Sequence, residues 1–442
     1  MNEASSCMAN VSVARREIGS PQRVLIALSG GADSVALFCV LKELAHLEKF
    51  EIAAVHVNHG LRDTASRDEM FCEQLCAKNS VPFFKHHLLL KGASEQEARL
   101  ARYEAFADAY KTWHAEVIAL AHHRGDQAET LLMHLFRGSG SKGAAGMKLL
   151  SKYEANGMEM HIFRPLLSWP KESLKAIALE QFGSFCCDET NDNDMYTRNY
   201  LRTHVMPVIM KRMPKAEEAL CRAADIFQAE NDLLDTMAKQ FLAKHASMSA
   251  PVPFIEYPPF SALHLAMRRR VMQLFLPFEE GFERIDSAAN ILPGKCVNLR
   301  KRSHLYADEK LICIVHSHSV QQTIAPFRVE PSQKRTGNGI RTQSMPTALY
   351  SECSLRYRQS GDFIQPFGMQ GTKSLQDYLV DRKVSEPMRD HLPLFCKDSE
   401  VIWVIGIGAS EKVRNIDSKE SIFLTYTGRL PYEKDERGNT HE

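Results

Sequence analysis

The segment S-G-G-A-D-S at residues 29–34 constrains the fold more than any other stretch, because it joins an apolar run to a helical pattern. Residues 24–28 are apolar, β-favouring and bounded by polar residues, which predicts a buried strand. Residues 35–47 carry apolar side chains at helical spacing, which predicts a helix. Paired glycines allow a sharp turn, and the unpaired amides that begin a helix attract anions. The sequence therefore predicts a strand, turn and helix that cradle phosphate.

Asp33 indicates which ligand this turn binds. A carboxylate beside bound phosphate is repelled unless a cation lies between them, so we expect Mg²⁺ at this residue. The segment lacks the Gly-Lys-Ser/Thr ending of the Walker loop, so the γ-phosphate handling typical of that loop is not indicated. A glycine turn that binds nothing is the alternative.

The same alternation of strand, polar turn and helix continues downstream. Strands are predicted at residues 52–57, 81–87 and 117–121, and helices at 67–79 and from a capping box at Ser94 towards Trp113. This order is typical of an α/β fold with a doubly wound parallel sheet, whose ligands lie beyond the carboxyl ends of the strands. Ser29, His59 and His122 lie at those ends.

Two acids follow the fourth strand. If a helix begins near Asp126, then Asp126 and Glu129 share one face of its first turn and point towards Asp33, which suits an oxygen-lined Mg²⁺ site. The alternative is that both acids only favour the helix dipole. His122 and His123 are neighbours at a strand end and point to opposite sides, which excludes joint chelation by this pair.

Composition limits the class of protein. The chain has 442 residues, 44% of them hydrophobic, and a formal net charge of +1, so two to four globular domains are expected and any nucleic-acid binding must use local patches. No run approaches the ~18 apolar residues of a membrane span, and no secretion signal is recognisable, so we expect a cytoplasmic protein without a membrane partner. Its eleven cysteines never form a C-x-x-C pair, which favours reduced thiols.

Together the motifs resemble one family, the bacterial tRNA(Ile)-lysidine synthetases of the PP-loop ATP pyrophosphatase superfamily. The shared motifs are S-G-G-A-D-S at 29–34, H-V-N-H-G-L-R at 56–62, E-A-R-L-A-R-Y at 97–103, A-H-H-R-G-D-Q-A-E-T at 121–130, R-G-S-G at 137–140 and R-P-L-L at 164–167. The chain departs from the family at Gly125, where two consecutive Asp residues are usual. Asp126 and Glu129 are left as the matching acids.

This resemblance implies the activity and its partners. ATP would adenylate the wobble cytidine of the isoleucine tRNA with a CAU anticodon, and L-lysine would then displace AMP to give lysidine. The implied catalytic residues are Asp33, Asp126 and Glu129, and Asp33 and Asp126 would hold Mg²⁺. The implied ATP-binding residues are Ser29, Gly30, Gly31, Ala32, Asp33, Ser34, His56 and Arg99. A homodimer is compatible with the resemblance.

Basic residues later in the chain are candidates for tRNA binding. Arg198 and Arg202 lie four apart at the start of a predicted helix, so both guanidinium groups can face one phosphate or base, and a solvated charged face is the alternative. The resemblance implies that they close over the ATP site and the tRNA. It also extends to the C-terminal region, where Arg356, Arg358 and Lys373 are candidate phosphate contacts; structural ion pairs are the alternative.

These patterns divide the chain into segments. We expect a flexible arm at residues 1–20, the catalytic domain at 21–212, a mainly helical tRNA-binding domain at 213–320, a linker at 321–347, a small α+β tRNA-binding domain at 348–432 and a tail at 433–442. Two other functions remain open: a tRNA thiolase of the same superfamily, which normally needs paired cysteines, and a tRNA-binding protein without activity.

Overall fold

The computed structural model forms two compact units, Met1–Asp232 and Leu233–Glu442. The described residues are 3–58, 65–88, 95–186, 197–248, 252–301, 303–316, 327–331, 337–413, 421–428 and 430.

The first unit is built on a six-stranded sheet. Its strands are β1 Arg23–Ala27, β2 Glu51–Asn58, β3 Phe83–His87, β4 Val117–Ala119, β5 Leu150–Ala155 and β6 Met158–Phe163. The order is β3-β2-β1-β4-β6-β5, and all neighbours are parallel except β5 and β6. Since the chain moves outwards from β1 in both directions, the carboxyl ends of β1 and β4 border the crevice where ligands bind in such sheets.

Helices pack on both faces of this sheet. They are α1 Glu3–Glu17, α2 Ala32–Glu48, α3 Ala65–Lys78, α4 Glu95–Thr112, α5 Arg124–Phe136, α6 Ser141–Ala144 and α7 Lys171–Phe182. Val24 and Ile26 of β1 belong to a core shared with α1, α2, α3 and α7, whereas Leu25 belongs to a second core shared with α4. Burial of both strand faces explains why the strand reads as a continuous apolar run. The predicted doubly wound α/β fold is confirmed.

The predicted flexible arm at the N-terminus is wrong, because most of that segment forms α1. Cys7 and Val11 are fully buried against the helical layer of the sheet. Arg15 is also buried, and its guanidinium donates to Glu48 of α2 at 2.7 Å. Few apolar residues hold this helix in place, so it lacks the periodicity that would have predicted it.

A helical segment completes the first unit and leads into the second. It comprises α8 Thr197–Tyr200, a π-helical turn Leu201–Val205, α9 Met206–Arg212 and α10 Ala216–His245. Residues 246–316 then form α11 Tyr257–Ser261, α12 Leu265–Phe275 and α13 Phe282–Ala289 with β7 Ala246–Ser247, β8 Phe254–Glu256, β9 Lys295–Asn298, β10 Ser303–Ala307 and β11 Leu311–His316. These strands pair as an antiparallel sheet in the order β7-β8-β11-β10-β9, so the predicted helical middle region also contains a sheet.

The C-terminal region is α+β, as predicted. Its strands are β12 Phe327–Pro331, β13 Thr342–Pro346, β14 Ser354–Arg356, β15 Phe363–Ile364, β16 Lys373–Ser374, β17 Leu394–Lys397, β18 Glu400–Val404, β19 Gly408–Ala409 and β20 Ser421–Tyr426. Its helices are α14 Thr347–Glu352, α15 Leu375–Asp381, α16 Glu386–Arg389 and a 3₁₀ turn Glu411–Val413. The segment predicted as a linker contributes β12 and β13, which flank β20 in a three-stranded sheet, so that prediction is wrong for these residues. The predicted tail at 433–442 lies outside the described residues.

None of the helices in the described ranges is long and apolar enough to cross a bilayer.

Candidate active site

The glycine turn between β1 and α2 has the geometry of an anion cradle. Gly30 has a φ of +90°, a conformation that L side chains rarely adopt, and Gly31 caps α2 without a side-chain hydrogen bond. Ser34 donates from its hydroxyl to the Gly31 carbonyl at 2.9 Å, and the Ser29 hydroxyl lies 3.0 Å from that of Ser34. The two serines thus fix the turn, while the amides that begin α2 remain available to a ligand.

The two carboxylate oxygens of Asp33 differ in their surroundings. Its Oδ1 is inaccessible to solvent and has no hydrogen-bond partner within the described part of the chain. Oδ2 lies 3.8 Å from Nε2 of His123. Burial raises the pKa of Asp33, and the charges of His123 and Lys171 oppose this rise. A buried carboxylate oxygen without a partner is costly, so this atom fits a bound cation.

Asp126 and Glu129 share a face of α5, as the sequence predicted, but the groups that meet them are Arg198 and Arg202. Arg202 donates from Nε to Glu129 Oε1 at 2.7 Å and from Nη2 to Asp126 Oδ1 at 2.8 Å. Arg198 donates from Nε to Glu129 Oε2 at 2.9 Å and from Nη2 to Asp126 Oδ1 at 3.2 Å. The two arginines therefore neutralise the buried acids.

These contacts bear on the predicted second Mg²⁺ ligand. Oδ1 of Asp126 accepts from both arginines, and Oδ2 accepts from the His123 amide at 2.9 Å. Within the described ranges, no three His, Cys, Asp or Glu side chains converge as a metal site. Asp33 therefore fits a metal as a single ligand, whereas Asp126 would first have to lose an arginine. The role of Asp126 as a ligand stays a prediction.

Ionisation differs between the two aspartates. Burial acts to raise the pKa of Asp126, but the charges of His123, Arg198 and His122 outweigh it and hold this pKa at about 2. Burial also lowers the pKa of His122 to about 3, so this histidine is neutral. Arg202, despite its burial, has a raised pKa because Glu129 accepts its hydrogen bonds.

The sequence pattern excluded joint chelation by His123 and His122 and gave His123 no other role, yet His123 lies between Asp33 and Asp126. It caps α5, and its Nε2 is 3.6 Å from Asp126 Oδ2 as well as 3.8 Å from Asp33. The His123 amide in turn donates to Oδ2 of Asp126, which completes a capping box. Histidine is an unusual capping residue, so the sequence signal for this role was weak.

Two further residues were predicted to bind ATP. His56 is buried, and its Nδ1 donates to the Leu28 carbonyl at 2.8 Å, just before the glycine turn. Burial lowers its pKa, so its Nε2 is available as an acceptor. Arg99 is exposed on α4, where its guanidinium lies 5.6 Å from the centre of the Tyr103 ring. Its part in ATP binding stays a prediction.

The basic residues of the C-terminal region are ion-paired. Arg356 donates from both terminal nitrogens to Asp362 at 2.8 Å, and the Asp362 side chain is 2% exposed. Arg358 pairs with Asp390, and Lys373 pairs with Asp381. Structural ion pairs of this kind are the alternative to phosphate contacts that the sequence left open for these residues.

Comparison with known proteins identifies the class of this site. Residues 6–209 match the PP-loop domain family, and residues 353–424 match the TilS substrate C-terminal domain. The chain is therefore a PP-loop protein.

Relatives of similar length narrow this class. A tRNA(Ile)-lysidine synthase of Porphyromonas gingivalis is 29% identical over 88% of this chain and 90% of the relative. One of Caldanaerobacter subterraneus is 27% identical over 93% of this chain and 95% of the relative. A solved U34-tRNA thiolase from Methanococcus maripaludis is more distant, with 14% identity, 51% of this chain and 80% of that chain covered, and a TM-score of 0.42. The chain thus combines a PP-loop domain with a TilS substrate C-terminal domain and is similar to tRNA(Ile)-lysidine synthases over most of its length.

Proposed function

We propose that this protein is an ATP-dependent ligase that attaches L-lysine to C2 of the wobble cytidine in the isoleucine tRNA with a CAU anticodon. The cytidine O2 attacks the α phosphate of ATP and releases pyrophosphate, and the lysine amine then displaces AMP to leave lysidine. One observation carries the proposal: the S-G-G-x-D-S turn holds a carboxylate with one inaccessible oxygen that has no partner among the described residues, in a chain matched by a tRNA(Ile)-lysidine synthase over 88% of its length.

The glycine turn would hold the leaving pyrophosphate. The amides that begin α2 attract anions, and the hydrogen bonds of Ser29 and Ser34 hold the turn in place. Asp33 would hold Mg²⁺ through Oδ1, the oxygen without a protein partner. When bound, the ion would neutralise charge that develops on the departing phosphates.

The acids and arginines would serve the base and lysine. In the part of the chain that the structure describes, Arg198 and Arg202 each bind both Asp126 and Glu129. A phosphate or base that attracts either arginine frees carboxylate oxygens. Glu129 would then orient the attacking lysine amine or accept its proton.

The decisive experiment supplies radiolabelled lysine, ATP and a CAU-bearing transcript. We expect label in the RNA together with release of AMP and pyrophosphate. Folded protein that leaves the RNA unlabelled would contradict the proposal, and sulfur incorporation would establish the thiolase instead.

Asp33→Ala tests the part of the site that handles ATP. We expect loss of pyrophosphate release with tRNA binding largely retained, because the carboxylate acts on the phosphates rather than on the RNA. Asp108→Ala is a matched control, since Asp108 is exposed on α4. Normal turnover by Asp33→Ala would contradict the proposed metal role.

The predicted homodimer is a separate proposal, which light scattering would check.

A further inference from the structure

The neighbours of His123 fix the direction of both ring nitrogens. Its Nδ1 accepts the Gly125 amide at 3.0 Å. Because a backbone amide only donates, a neutral ring carries its hydrogen on Nε2. That nitrogen faces the carboxylates of Asp33, at 3.8 Å, and Asp126, at 3.6 Å, from a side chain that is 5% exposed. At these distances the attraction is electrostatic rather than a hydrogen bond.

Gly125 leaves the space that this ring occupies. A Cβ built at residue 125 would lie 2.9 Å from Cε1 and 3.2 Å from Nδ1 of His123, and 3.4 Å from Glu217 Oε1. The first distance is shorter than Cβ contacts tolerate, so any side chain at 125 would tilt the ring. Gly125 lies within α5 and is not among the residues with positive φ. Its backbone therefore gives no reason for glycine, which is a poorer helix former than alanine.

We propose that His123 is a positioning residue for the ATP step and that Gly125 is required because it leaves room for the ring. The Nε2–H group attracts Oδ2 of Asp33 and so fixes the rotation of that carboxylate. Oδ1, the oxygen without a partner, is thereby presented to the ligand of the glycine turn. The same ring links the turn after β1 to the start of α5 through Asp126. This inference rests on the proposed function, in which Asp33 serves ATP.

A double-mutant cycle tests the coupling directly. Equilibrium dialysis with radiolabelled ATP and Mg²⁺ gives the Kd for wild type, Gly125→Ala, His123→Ala and the double variant. Each single change should raise Kd about tenfold, which is within the range expected for one lost electrostatic contact at about 4 Å. The double variant should bind as His123→Ala does, because a Cβ at 125 has no ring to displace. Additive losses, or tight binding by Gly125→Ala, would overturn the proposal.

Stability measurements separate this effect from misfolding. Gly125→Ala should keep or raise Tm, since alanine is the better helix former. Gly281→Ala is the matched control, because it too introduces a Cβ at the start of a helix. Gly281 is the N-cap of α13, and a Cβ there meets nothing within 4 Å. Its Kd for ATP should equal that of wild type.

His123→Asn separates capping from carboxylate contact. Asparagine is a good N-cap, so Tm should be retained, but its amide is too short to replace Nε2 and Kd should stay raised. Wild-type affinity in this variant would show that capping suffices, which overturns the proposal. The readout needs neither lysine nor tRNA. Wild type that binds ATP without transferring lysine would therefore contradict only the proposed function, whereas wild type that does not bind ATP would contradict both.

Discussion

At the scale of single residues, the site sets two aspartates apart by their partners. Asp126 is paired with Arg198 and Arg202, and the charges of His123, Arg198 and His122 hold its pKa at about 2. Asp33 is partly buried, its inaccessible Oδ1 has no hydrogen-bond partner among the described residues, and burial raises its pKa. The charge of Asp126 is thus balanced by arginines of the protein, whereas the charge of Asp33 is available to a ligand. Environments that push two carboxyl groups in opposite directions are typical of sites in which each has its own role.

Asp126 should make the stability of the first unit depend on pH. Its pKa in the folded protein is about 2, below the ordinary value of 3.8, so its contribution is complete above that value and is lost as pH falls towards 2. The contribution is about 2 kcal/mol. Urea unfolding of wild type at pH 3 to 6, followed by tryptophan fluorescence, should show about half of this loss, because pH 3 lies roughly midway between the two pKa values. Asp126→Asn should be less stable at pH 6 and show a smaller decline; an equal decline would contradict the assignment.

At the scale of elements, the sequence predicted those parts that local pattern determines. The strand, turn and helix around Asp33 were predicted because a buried strand reads as a short continuous apolar run and the following residues carry apolar side chains at helical spacing. The sequence did not predict that Arg198 and Arg202 pair with acids on α5, because this pairing joins residues about seventy positions apart. Sequence spacing placed the two arginines on one face, but it could not reveal which group that face meets.

Helix α1 offers a test of the corrected N-terminus. Val11 is fully buried, whereas Val13 of the same helix is 50% exposed. Val11→Asp should destabilise the protein by about 3 kcal/mol or more, because it buries an unpaired charge, while Val13→Asp should change stability by less than about 0.5 kcal/mol. Thermal unfolding measures both. Equal tolerance of the two substitutions is the result expected of a loose arm and would contradict the helix packing.

At the scale of the whole molecule, the two units differ in how their charged residues are used. In the first unit, buried acids and arginines meet beside the glycine turn. In the second, Arg356 is locked to the buried Asp362, whereas the partners of Arg358 and Lys373 are each 60% exposed. Exposed pairs contribute only about 0–1 kcal/mol, so an RNA phosphate can displace them. Arg358 and Lys373 are therefore the better candidates for contact with tRNA.

Salt dependence should distinguish these two groups. The logarithm of the tRNA association constant falls with the logarithm of salt concentration, and each phosphate contact contributes roughly 0.7 to 0.9 to the steepness of this fall. Arg358→Gln and Lys373→Gln should therefore each weaken tRNA binding and make the fall less steep by about that amount. Arg356→Gln should lower Tm with little change in slope, because it leaves Asp362 buried without its partner. Lys152→Gln, at an exposed position in the first unit, is the control. Filter binding of the CAU transcript from 50 to 200 mM salt measures all four slopes. An unchanged slope in both Arg358→Gln and Lys373→Gln would contradict their assignment to the tRNA interface, and a reduced slope in Arg356→Gln would move that assignment to the buried pair.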